Sequence, residues 1–419
     1  MMEKTHLTHL TFAELGLSQS LLNGLNDAGF VCCTPIQAQT LPLALDGQDV
    51  AGQAQTGTGK TIAFLLAAMH RLLCVTPAPN RKPNQPRAVV VAPTRELVLQ
   101  IYQDALLISR FTALRTALVY GGVDYEKQRA ALWEKPDLLI ATPGRLIDYH
   151  KQRAVDFRAV EVTVLDEADA MFDFGFIRDI RFLLRRMPPP PQRLTLLFSA
   201  TLSWRVHELA YEHMNNPHIV VIDPDKVTVD QVAQRLYHIE RKDKLALLLG
   251  LLQQIKSPRV LVFVNTKRGA ETVSITLNAN GLAGKALSGD VPQKQRQALL
   301  GCFARGELST LVATDVAARG LHIPDVSHVI NFDLPQNAED YVHRIGRTAR
   351  GGASGDAISF ACEEYVYSLP EIEAFIGHKI PVARVDVQIL APSMKKMPRS
   401  RRPRARRPPG VRRTAPANR

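Results

Sequence analysis

Short, continuously apolar segments recur in both halves of the 419-residue chain. They lie at residues 88–92, 138–141, 160–165, 194–198, 260–264, 310–313 and 326–331. Continuous rather than alternating apolarity is typical of strands that are buried on both faces, as in a parallel sheet covered by helices. Segments with helical periodicity, such as 61–73 and 177–186, alternate with these runs. The pattern predicts two doubly wound α/β domains with parallel sheets.

Breaks in this pattern divide the chain into three parts. Asn216-Pro217 and Asp223-Pro224 interrupt helical periodicity after the last apolar run of the first half, and such pairs are typical of turns and linkers. We therefore expect a first domain at residues 1–220, a second domain at 221–390 and a tail at 391–419.

The tail accounts for most of the net charge of +12. Of the 52 Lys and Arg residues, eleven lie from Lys395 onward, where no Asp or Glu occurs. Interleaved prolines and the scarcity of apolar residues prevent this segment from building a core, so we expect a disordered arm. Dense runs of arginine are typical of segments that hold nucleic acid or another polyanion. The alternative is a solvated tail that only aids solubility.

Composition argues against membrane-spanning and secreted proteins. The apolar stretch at 245–252 is far shorter than the roughly 18 residues that a membrane span needs. The first residues lack the apolar region of a secretory signal. Five scattered cysteines without a CxxC pair indicate reduced thiols rather than a disulfide framework or a zinc site. We expect a monomeric cytoplasmic protein without a membrane span.

The strongest local motif is Ala54-Gln55-Thr56-Gly57-Thr58-Gly59-Lys60-Thr61, between a predicted strand end and a predicted helix. Its glycines allow backbone N–H groups to curl around phosphate oxygens at a helix N-terminus. Lys60 can reach the β- and γ-phosphates of a nucleotide, and Thr61 can bind Mg²⁺. The general phosphate-loop pattern has Gly where this chain has Ala54, and a chance glycine-rich turn is the alternative interpretation.

Acidic and basic pairs would complete a nucleotide site. Asp166 and Glu167 follow the predicted strand at 160–165; Asp166 suits a metal-holding role, and Glu167 suits activation of the attacking water. Arg347 and Arg350 lie three residues apart in the second half, and on a helix they would share a face. Supplied across a cleft, they could act as catalytic arginine fingers on the γ-phosphate. A solvated basic helix is the alternative.

The motifs of the chain, taken in order, resemble those of DEAD-box ATP-dependent RNA helicases over roughly residues 10–380. They are Phe12, residues 29–37, 54–61, 93–97, 121–122, 142–145, 166–169, 199–201, Gln293 with Arg296, 313–320 and 343–350. The resemblance implies two tandem RecA-like domains that bind ATP with Mg²⁺. It further implies binding of single-stranded and structured RNA, and RNA-stimulated ATP hydrolysis at a cleft between the domains that is coupled to local unwinding of structured RNA.

The same resemblance assigns roles to single residues. Phe12 would stack on the adenine, Gln37 beside Thr34 would recognise its edge, and Asp315 would complete the ATP site from the second domain. Residues that would couple hydrolysis to strand separation are Asp169, Ser199, Thr201 and His343. Residues that would hold the RNA backbone are Pro93, Thr94, Arg95, Gly122, Thr142, Gly144 and Arg145 in the first domain and Thr266, Gly289, Thr314 and Arg319 in the second. Backbone contacts of this kind position a strand without reading its sequence.

Several stretches resemble one bacterial branch of the family, whose members act in the RNA degradosome. These stretches are 144–149, 185–189, 213–216, 319–324, 361–365 and 376–381. The resemblance implies that the endoribonuclease RNase E is a partner, docked on the second domain, and that the task is RNA decay. The chain departs from the common family pattern at His322, where Asp is usual, and at Ala349, where Gly is usual.

Two other functions remain open on the sequence alone. An ATP-gated RNA clamp would remodel ribonucleoprotein complexes without processive unwinding, and a DNA helicase or translocase would use the same ATPase parts. Glu167, Arg347 and Arg350 argue against a purely structural role. Phe12 with Gln37, together with the DEAD sequence, argues against a DNA enzyme.

Overall fold

The computed structural model describes residues 7–55, 57–222, 232–255, 259–318, 326–348, 355–386 and 389–390. Within these ranges, the first sheet is built from seven strands. They are β1 (Val50–Gln53), β2 (Ala88–Val91), β3 (Thr116–Val119), β4 (Leu138–Ala141), β5 (Val162–Leu165), β6 (Leu194–Ser199) and β7 (His218–Val221). Their order across the sheet is β3-β4-β2-β5-β6-β1-β7, and all neighbouring strands are parallel.

The second sheet has six strands among the described residues. They are β8 (Val232–His238), β9 (Val260–Phe263), β10 (Gly284–Leu287), β11 (Thr310–Ala313), β12 (His328–Asn331) and β13 (Gly355–Ala361). Their order is β10-β11-β9-β12-β13-β8, again with parallel neighbours throughout. The prediction of two parallel α/β sheets is therefore confirmed.

Helices connect the strands and flank both sheets. In the first domain they are α1 (Gln19–Asp27), α2 (Pro35–Leu45), α3 (Lys60–Cys74), α4 (Arg95–Ile108), α5 (Tyr125–Ala131), α6 (Pro143–Lys151), α7 (Ala168–Asp173), α8 (Ile177–Leu184) and α9 (Trp204–His213). In the second domain they are α10 (Lys244–Gln254), α11 (Lys267–Ala279), α12 (Gln293–Ala304), α13 (Asp315–Ala318), α14 (Ala338–Ile345) and α15 (Leu369–Ile376).

The central strands are buried on both faces, which explains their unbroken apolar sequence. In β2, Val90 belongs to one hydrophobic core, whereas Val89 and Val91 belong to the core on the opposite face. In β9, Val262 belongs to one hydrophobic core of the second sheet and Leu261 to another. Because successive side chains of a strand point to opposite faces, both faces demand apolar residues.

The predicted strands all correspond to interior strands, whereas the strands at the sheet edges and the interior strand β13 were not predicted. β3 alternates between half-buried and buried residues, and β7 exposes three of its four residues. β8 alternates buried and exposed residues over most of its length. An edge strand has one side open to solvent, so its sequence lacks the continuous apolar run that marked the others. Two predicted starts were early: β5 begins at Val162 and β12 at His328.

Because neighbouring strands are parallel, their carboxyl ends lie at the same edge of each sheet. In the first sheet, β1 leads into the phosphate loop, β5 into Asp166 and β6 into Ser199. In the second sheet, β9 and β11 lead towards Thr266 and Thr314. In open α/β sheets, ligands bind outside the carboxyl ends of the strands. The fold therefore gathers most of the predicted site residues at two carboxyl edges.

Several expectations lie at or beyond the limits of this description. The division between residues 220 and 221 stays a prediction; it falls within β7 (His218–Val221), one residue before the end of that strand. The tail at 391–419, His322 and Ala349 lie outside the described residues.

All five cysteines are free thiols. Among the described helices, none combines the length and apolar character that crossing a bilayer requires.

Candidate nucleotide and RNA site

In the phosphate loop before α3, side chains donate hydrogen bonds to backbone carbonyls of the same loop. Gly57 and Gly59 have φ of +90° and +93°, a left-handed region that favours glycine. Lys60 Nζ donates to the carbonyl of Ala54 at 2.6 Å, and Thr58 Oγ1 donates to that of Gln55 at 2.8 Å. The buried ammonium of Lys60 thus lies inside the loop. Thr61 follows as the second residue of the helix, and Thr56 lies outside the described residues.

Gln37 is joined directly to the phosphate loop. Its Oε1 accepts from the Thr34 N–H at 2.8 Å, and its Nε2 donates to the Gly59 carbonyl at 3.0 Å. Within the described residues, the buried Thr34 Oγ1 has no hydrogen-bond partner. An amide side chain can form further hydrogen bonds, so Gln37 and Thr34 retain capacity for a base edge. Recognition of adenine by this pair stays a prediction.

Phe12 occupies a different environment from the one expected for a stacking residue. It opens a short 3₁₀ helix at Phe12–Leu15, and its N–H donates to the Val31 carbonyl at 3.1 Å. The side chain is only 2% exposed and belongs to a hydrophobic core of the first domain. Its burial does not favour stacking on a base, and the stacking role stays a prediction.

Asp166 and Glu167 form a buried acidic pair at the end of β5. Burial raises the pKa of Asp166 to about 6, although the charge of Lys60 opposes this rise. Burial also raises the pKa of Glu167 to about 7, and the neighbouring carboxylate of Asp166 adds to the effect. Glu167 has a left-handed φ of +52° and precedes α7. Among the described residues, its buried Oε2 has no hydrogen-bond partner.

Asp169 joins the acidic segment to the end of β6. Its N–H donates to Ser199 Oγ at 3.2 Å, and Thr201 Oγ1 donates to its carboxylate at 3.5 Å. Ser199 also accepts, through its carbonyl, from the N–H of Ala54 in the phosphate loop at 3.1 Å. The three predicted coupling residues of the first domain are therefore in contact.

Arg347 approaches this site from the second domain. Its guanidinium is buried, and its charge lowers the pKa of Glu167 against the larger effect of burial. The prediction that Arg347 and Arg350 share one face of a helix is wrong for Arg347. Helix α14 ends at Ile345, and Arg347 lies in the turn that follows it. Arg350 lies outside the described residues. His343 is half-buried in the last turn of α14.

Asp315 is held by an arginine to which the sequence assigned no role. Arg344 donates to both carboxylate oxygens of Asp315, at 2.6 and 2.7 Å. Arg344 is 1% exposed and also donates to Asn265 Oδ1 at 2.8 Å. A buried guanidinium needs such partners. Arg344 therefore fixes the start of α13, where Asp315 was expected to meet ATP.

The predicted RNA-contacting residues of the first domain lie at two helix N-termini and one loop. Thr94 precedes α4 and accepts from the Leu97 N–H at 3.2 Å; buried Pro93 lies just before it. Thr142 precedes α6, where Gly144 is exposed. Helix N-termini attract phosphate because their N–H groups are free and their dipoles are positive.

The loop with Gly122 is packed against Arg95. Gly122 has a φ of +87°, and a Cβ there would lie 2.4 Å from Arg95 Nη1. Arg145, near the start of α6, lies over the rings of Tyr125 and Tyr149. Arg95 thus contacts the loop before α5, and Arg145 contacts the first residue of α5.

In the second domain, the predicted RNA-contacting residues follow three strands. Thr266 is exposed, precedes α11 and accepts from the Gly269 N–H at 3.0 Å. Gly289 is exposed after β10, whereas Thr314 is buried after β11. Arg319 lies outside the described residues.

The structure contains a contact between the two domains that was not predicted from the sequence. Arg296 of α12 lies 2.6 Å from the carboxylate of Glu96 in α4. Gln293 donates to the same carboxylate at 3.1 Å and accepts from Arg95 at 3.3 Å. The sequence contained all four residues within recognised motifs, but nothing in their spacing could pair residues almost 200 positions apart.

Comparison with protein families gives two matches. The DEAD/DEAH box helicase family matches residues 34–210, and the helicase conserved C-terminal domain matches residues 243–352.

Curated relatives cover most of the chain. It is 60% identical over 387 residues to an ATP-dependent RNA helicase RhlB of Xanthomonas campestris pv. campestris, covering 92% of this chain and 68% of that one. It is 54% identical over 403 residues to RhlB of Vibrio campbellii, covering 96% of this chain and 92% of that one.

Solved structures share the arrangement of both sheets. S. cerevisiae Dbp5 bound to RNA and ADP BeF3 has a TM-score of 0.79 and 31% identity, over 90% of this chain and 95% of that chain. Mss116p bound to ssRNA and AMP-PNP has a TM-score of 0.79 and 29% identity, over 92% and 81% of the two chains. The two family matches, the relatives and the tandem RecA-like fold agree, and the chain belongs to the DEAD-box family of ATP-dependent RNA helicases.

Proposed function

We propose that this helicase hydrolyses ATP in the cleft between its domains, at 1–220 and 221–390, with Glu167 as the group that activates water. The observation that carries the proposal is the buried Oε2 of Glu167, which lacks a hydrogen-bond partner among the described residues. Positive charge reaches Glu167 from Lys60 in its own domain and from Arg347 in the other. A carboxylate in this environment can accept a proton from a water molecule that attacks the γ-phosphate.

The first domain would hold the phosphates and the second would stabilise charge on them. The loop at 54–61 would present backbone N–H groups, and Lys60 would exchange the Ala54 carbonyl for the β- and γ-phosphates. Arg347, with Arg350 as its predicted companion, would neutralise charge that develops on the transferred phosphoryl group. Water adds to the γ-phosphorus, the bond to the β–γ bridging oxygen breaks, and ADP and phosphate leave.

The residues present fit Mg²⁺ as the accompanying ion. Asp166 offers a buried carboxylate, of which Oδ1 accepts only the Glu167 N–H among the hydrogen bonds described, and Thr61 offers a hydroxyl at the start of α3. Magnesium is commonly held by one or two protein oxygens together with substrate phosphates and water. This is compatible with the described residues having no cluster of three or more His, Cys, Asp or Glu side chains arranged for a metal. When bound, the ion would offset phosphate charge.

RNA would lie across the carboxyl edges of both sheets. The N-termini of α4, α6 and α11 would meet phosphates without reading bases, and the RNA 2′-OH would give a preference over DNA. Closure of the domains around ATP would bend the bound strand and exclude its complement. Short duplexes would then separate locally, and product release would reopen the cleft.

We also propose a role in RNA decay together with RNase E, docked on the second domain. The support is sequence resemblance at 361–365 and 376–381, which lie around α15 of the second domain. The basic tail at 391–419 would add phosphate contacts to the complex.

The test is ATP hydrolysis by the wild type and by Glu167→Gln with no nucleic acid, with single-stranded RNA and with matching DNA. We expect stimulation by RNA that is lost in the variant while RNA binding persists. Equal stimulation by DNA would favour a translocase. RNA-stimulated hydrolysis without strand separation in a duplex assay would favour an ATP-gated clamp. A Glu167→Gln enzyme of wild-type rate would overturn the assignment of the base.

A further inference from the structure

Three side chains of the first domain form a cluster of two tilted rings and one guanidinium beside the proposed RNA surface. Tyr125 opens α5, and Arg145 and Tyr149 belong to α6. The two tyrosine ring centroids are 4.6 Å apart. The guanidinium carbon of Arg145 lies 5.0 Å from the Tyr125 ring centroid and 5.7 Å from that of Tyr149. We call these three residues the tyrosine bracket.

A hydrogen bond fixes the two helices to each other within the bracket. Tyr149 Oη donates to the backbone carbonyl of Tyr125 at 2.7 Å, and the Tyr149 side chain is fully buried. Burial raises the pKa of both phenols, so both stay neutral at physiological pH. A cation over partly desolvated rings is held more strongly than one over exposed rings. The bracket therefore joins α5 to α6 by a tilted contact of two rings, cation–π contact and one hydrogen bond.

Each helix of the bracket carries a segment proposed to contact RNA. The loop with Gly122 precedes α5, and the Gln128 side chain of that helix accepts from the Tyr120 N–H at 2.8 Å and donates to the Tyr120 carbonyl at 3.1 Å. Thr142 and Gly144 stand at the start of α6. Movement of α5 against α6 would therefore change the separation of these two segments.

We infer that the tyrosine bracket positions the Gly122 loop and the N-terminus of α6 as one rigid surface for consecutive phosphates of an RNA strand. Tyr125 and Tyr149 are positioning residues that act through those two segments. The inference rests on the proposed function, because RNA contact at Gly122, Thr142 and Gly144 is itself proposed. Ordering flexible loops when a ligand binds costs free energy. An RNA strand that binds two segments already held in place therefore binds more tightly than one that must order two independent loops.

The experiment compares Tyr125→Leu with Tyr125→Phe in RNA-stimulated ATP hydrolysis by the full chain. Tyr125→Leu removes the ring beneath Arg145, and we expect the half-saturating RNA concentration to rise about fivefold or more, with the maximal rate changed less than about twofold. Tyr125→Phe keeps this ring and removes only the hydroxyl, which interacts with the Asp148 side chain. Tyr125→Phe should therefore restore wild-type RNA dependence.

Controls separate failure of the bracket from failure of the RNA surface. Tyr211→Leu, at an 88% exposed tyrosine of α9, should leave RNA dependence unchanged. Arg95→Ala should raise half-saturating RNA because it alters the surface directly. If Arg95→Ala has an effect and Tyr125→Leu has none, the bracket inference is wrong. If neither variant has an effect, the proposed RNA surface is wrong.

A second variant decides the matter if Tyr125→Leu lowers the melting temperature and leaves too little folded protein. Tyr149→Phe keeps the ring and removes only the hydroxyl that bonds to Tyr125. We expect it to raise half-saturating RNA about threefold. Wild-type RNA dependence of a folded Tyr149→Phe enzyme would overturn the inference.

Discussion

The guanidinium of Arg296 in the second domain lies 2.6 Å from the carboxylate of Glu96 in the first, with about one tenth of each side chain exposed. Arg296 also donates to the Ala317 carbonyl at 2.6 Å, close to the end of α13. The pair therefore links the helix that starts at Arg95 to the segment that carries Asp315. Arg95 was predicted to meet RNA and Asp315 to meet ATP, so the pair connects the segments that carry these two predicted contacts.

Replacement of Arg296 by Ala should weaken closure of the two domains. The Glu96 carboxylate would lose its cation at a largely buried contact, and breaking one partner of such a pair typically costs a few kcal/mol. We expect RNA-stimulated ATP hydrolysis to fall about tenfold or more. The measurement is steady-state hydrolysis together with energy transfer between a dye on each domain. Lys294→Ala, an exposed residue of the same helix, is the matched control, and equal rates for both variants would contradict the prediction.

Hydrolysis should depend on pH through Glu167. Its pKa of about 7 in the ligand-free protein means that the carboxylate form, which can accept a proton, becomes scarce below neutrality. We expect kcat/KM for ATP at saturating RNA to rise about tenfold per pH unit below the midpoint and to level above it, because kcat/KM reports the free enzyme. Asp104→Asn removes another carboxyl whose burial raises its pKa to about 6, and it should leave the profile in place. A flat profile across this range would exclude Glu167 as the titrating base.

The same carboxyl should make the folded protein less stable as pH rises. Because burial raises the pKa of Glu167 from 4.5 to about 7, the folded state binds more protons than the unfolded state between these values. Stability contributed by the protonated form is present below about pH 4.5 and is lost as pH rises through about 7. Glu167→Gln should therefore raise the melting temperature at pH 8 by a few degrees, since each kcal/mol is worth about 2–4 °C in domains of this size. A smaller gain is expected at pH 5, and scanning calorimetry at the two pH values makes the comparison.

Gly59→Ala should weaken ATP binding. A Cβ there would lie 2.5 Å from Gln37 Nε2 and 3.0 Å from Thr34 Oγ1, and the residue has a φ of +93°. The added methyl group would displace the side chain that joins α2 to the phosphate loop, so we expect half-saturating ATP to rise about tenfold, equivalent to about 1.4 kcal/mol. Gly281→Ala is the control for backbone strain without a steric contact. It adds a Cβ at a φ of +78° with nothing within 4 Å. If both variants bind ATP alike, the contact with Gln37 is irrelevant to nucleotide affinity.

The local parts of the site were predictable because each depends on neighbours in sequence. The loop at 54–61 needs glycine for its left-handed turns, and a strand before it with a helix after it. Asp166 and Glu167 follow β5 directly, and Thr94 caps the helix that it precedes. In each case the chemistry is contained within about ten residues, so the residue types and their spacing were enough.

Relationships between distant segments were not predictable in this way. Phe12 packs in a hydrophobic core and Asp315 is bound by Arg344, and neither set of neighbours was predicted. The ATP roles of both residues stay predictions. The helical face proposed for Arg347 is absent because the chain turns after Ile345. Side-chain partners of this kind are set by how helices pack on a sheet, which apolar periodicity does not specify.

The sequence by itself determined the two parallel α/β sheets, the phosphate loop and the family, because continuous apolar runs and ordered motifs are local properties of the chain. Only the tertiary structure decided that Arg296 meets Glu96, that Arg347 influences Glu167, and that Tyr125 and Tyr149 hold Arg145. The physical reason is that burial and charge at these residues depend on chain segments that are far apart in sequence. Their energies are fixed when the sheets and helices pack, and no spacing within one segment records them.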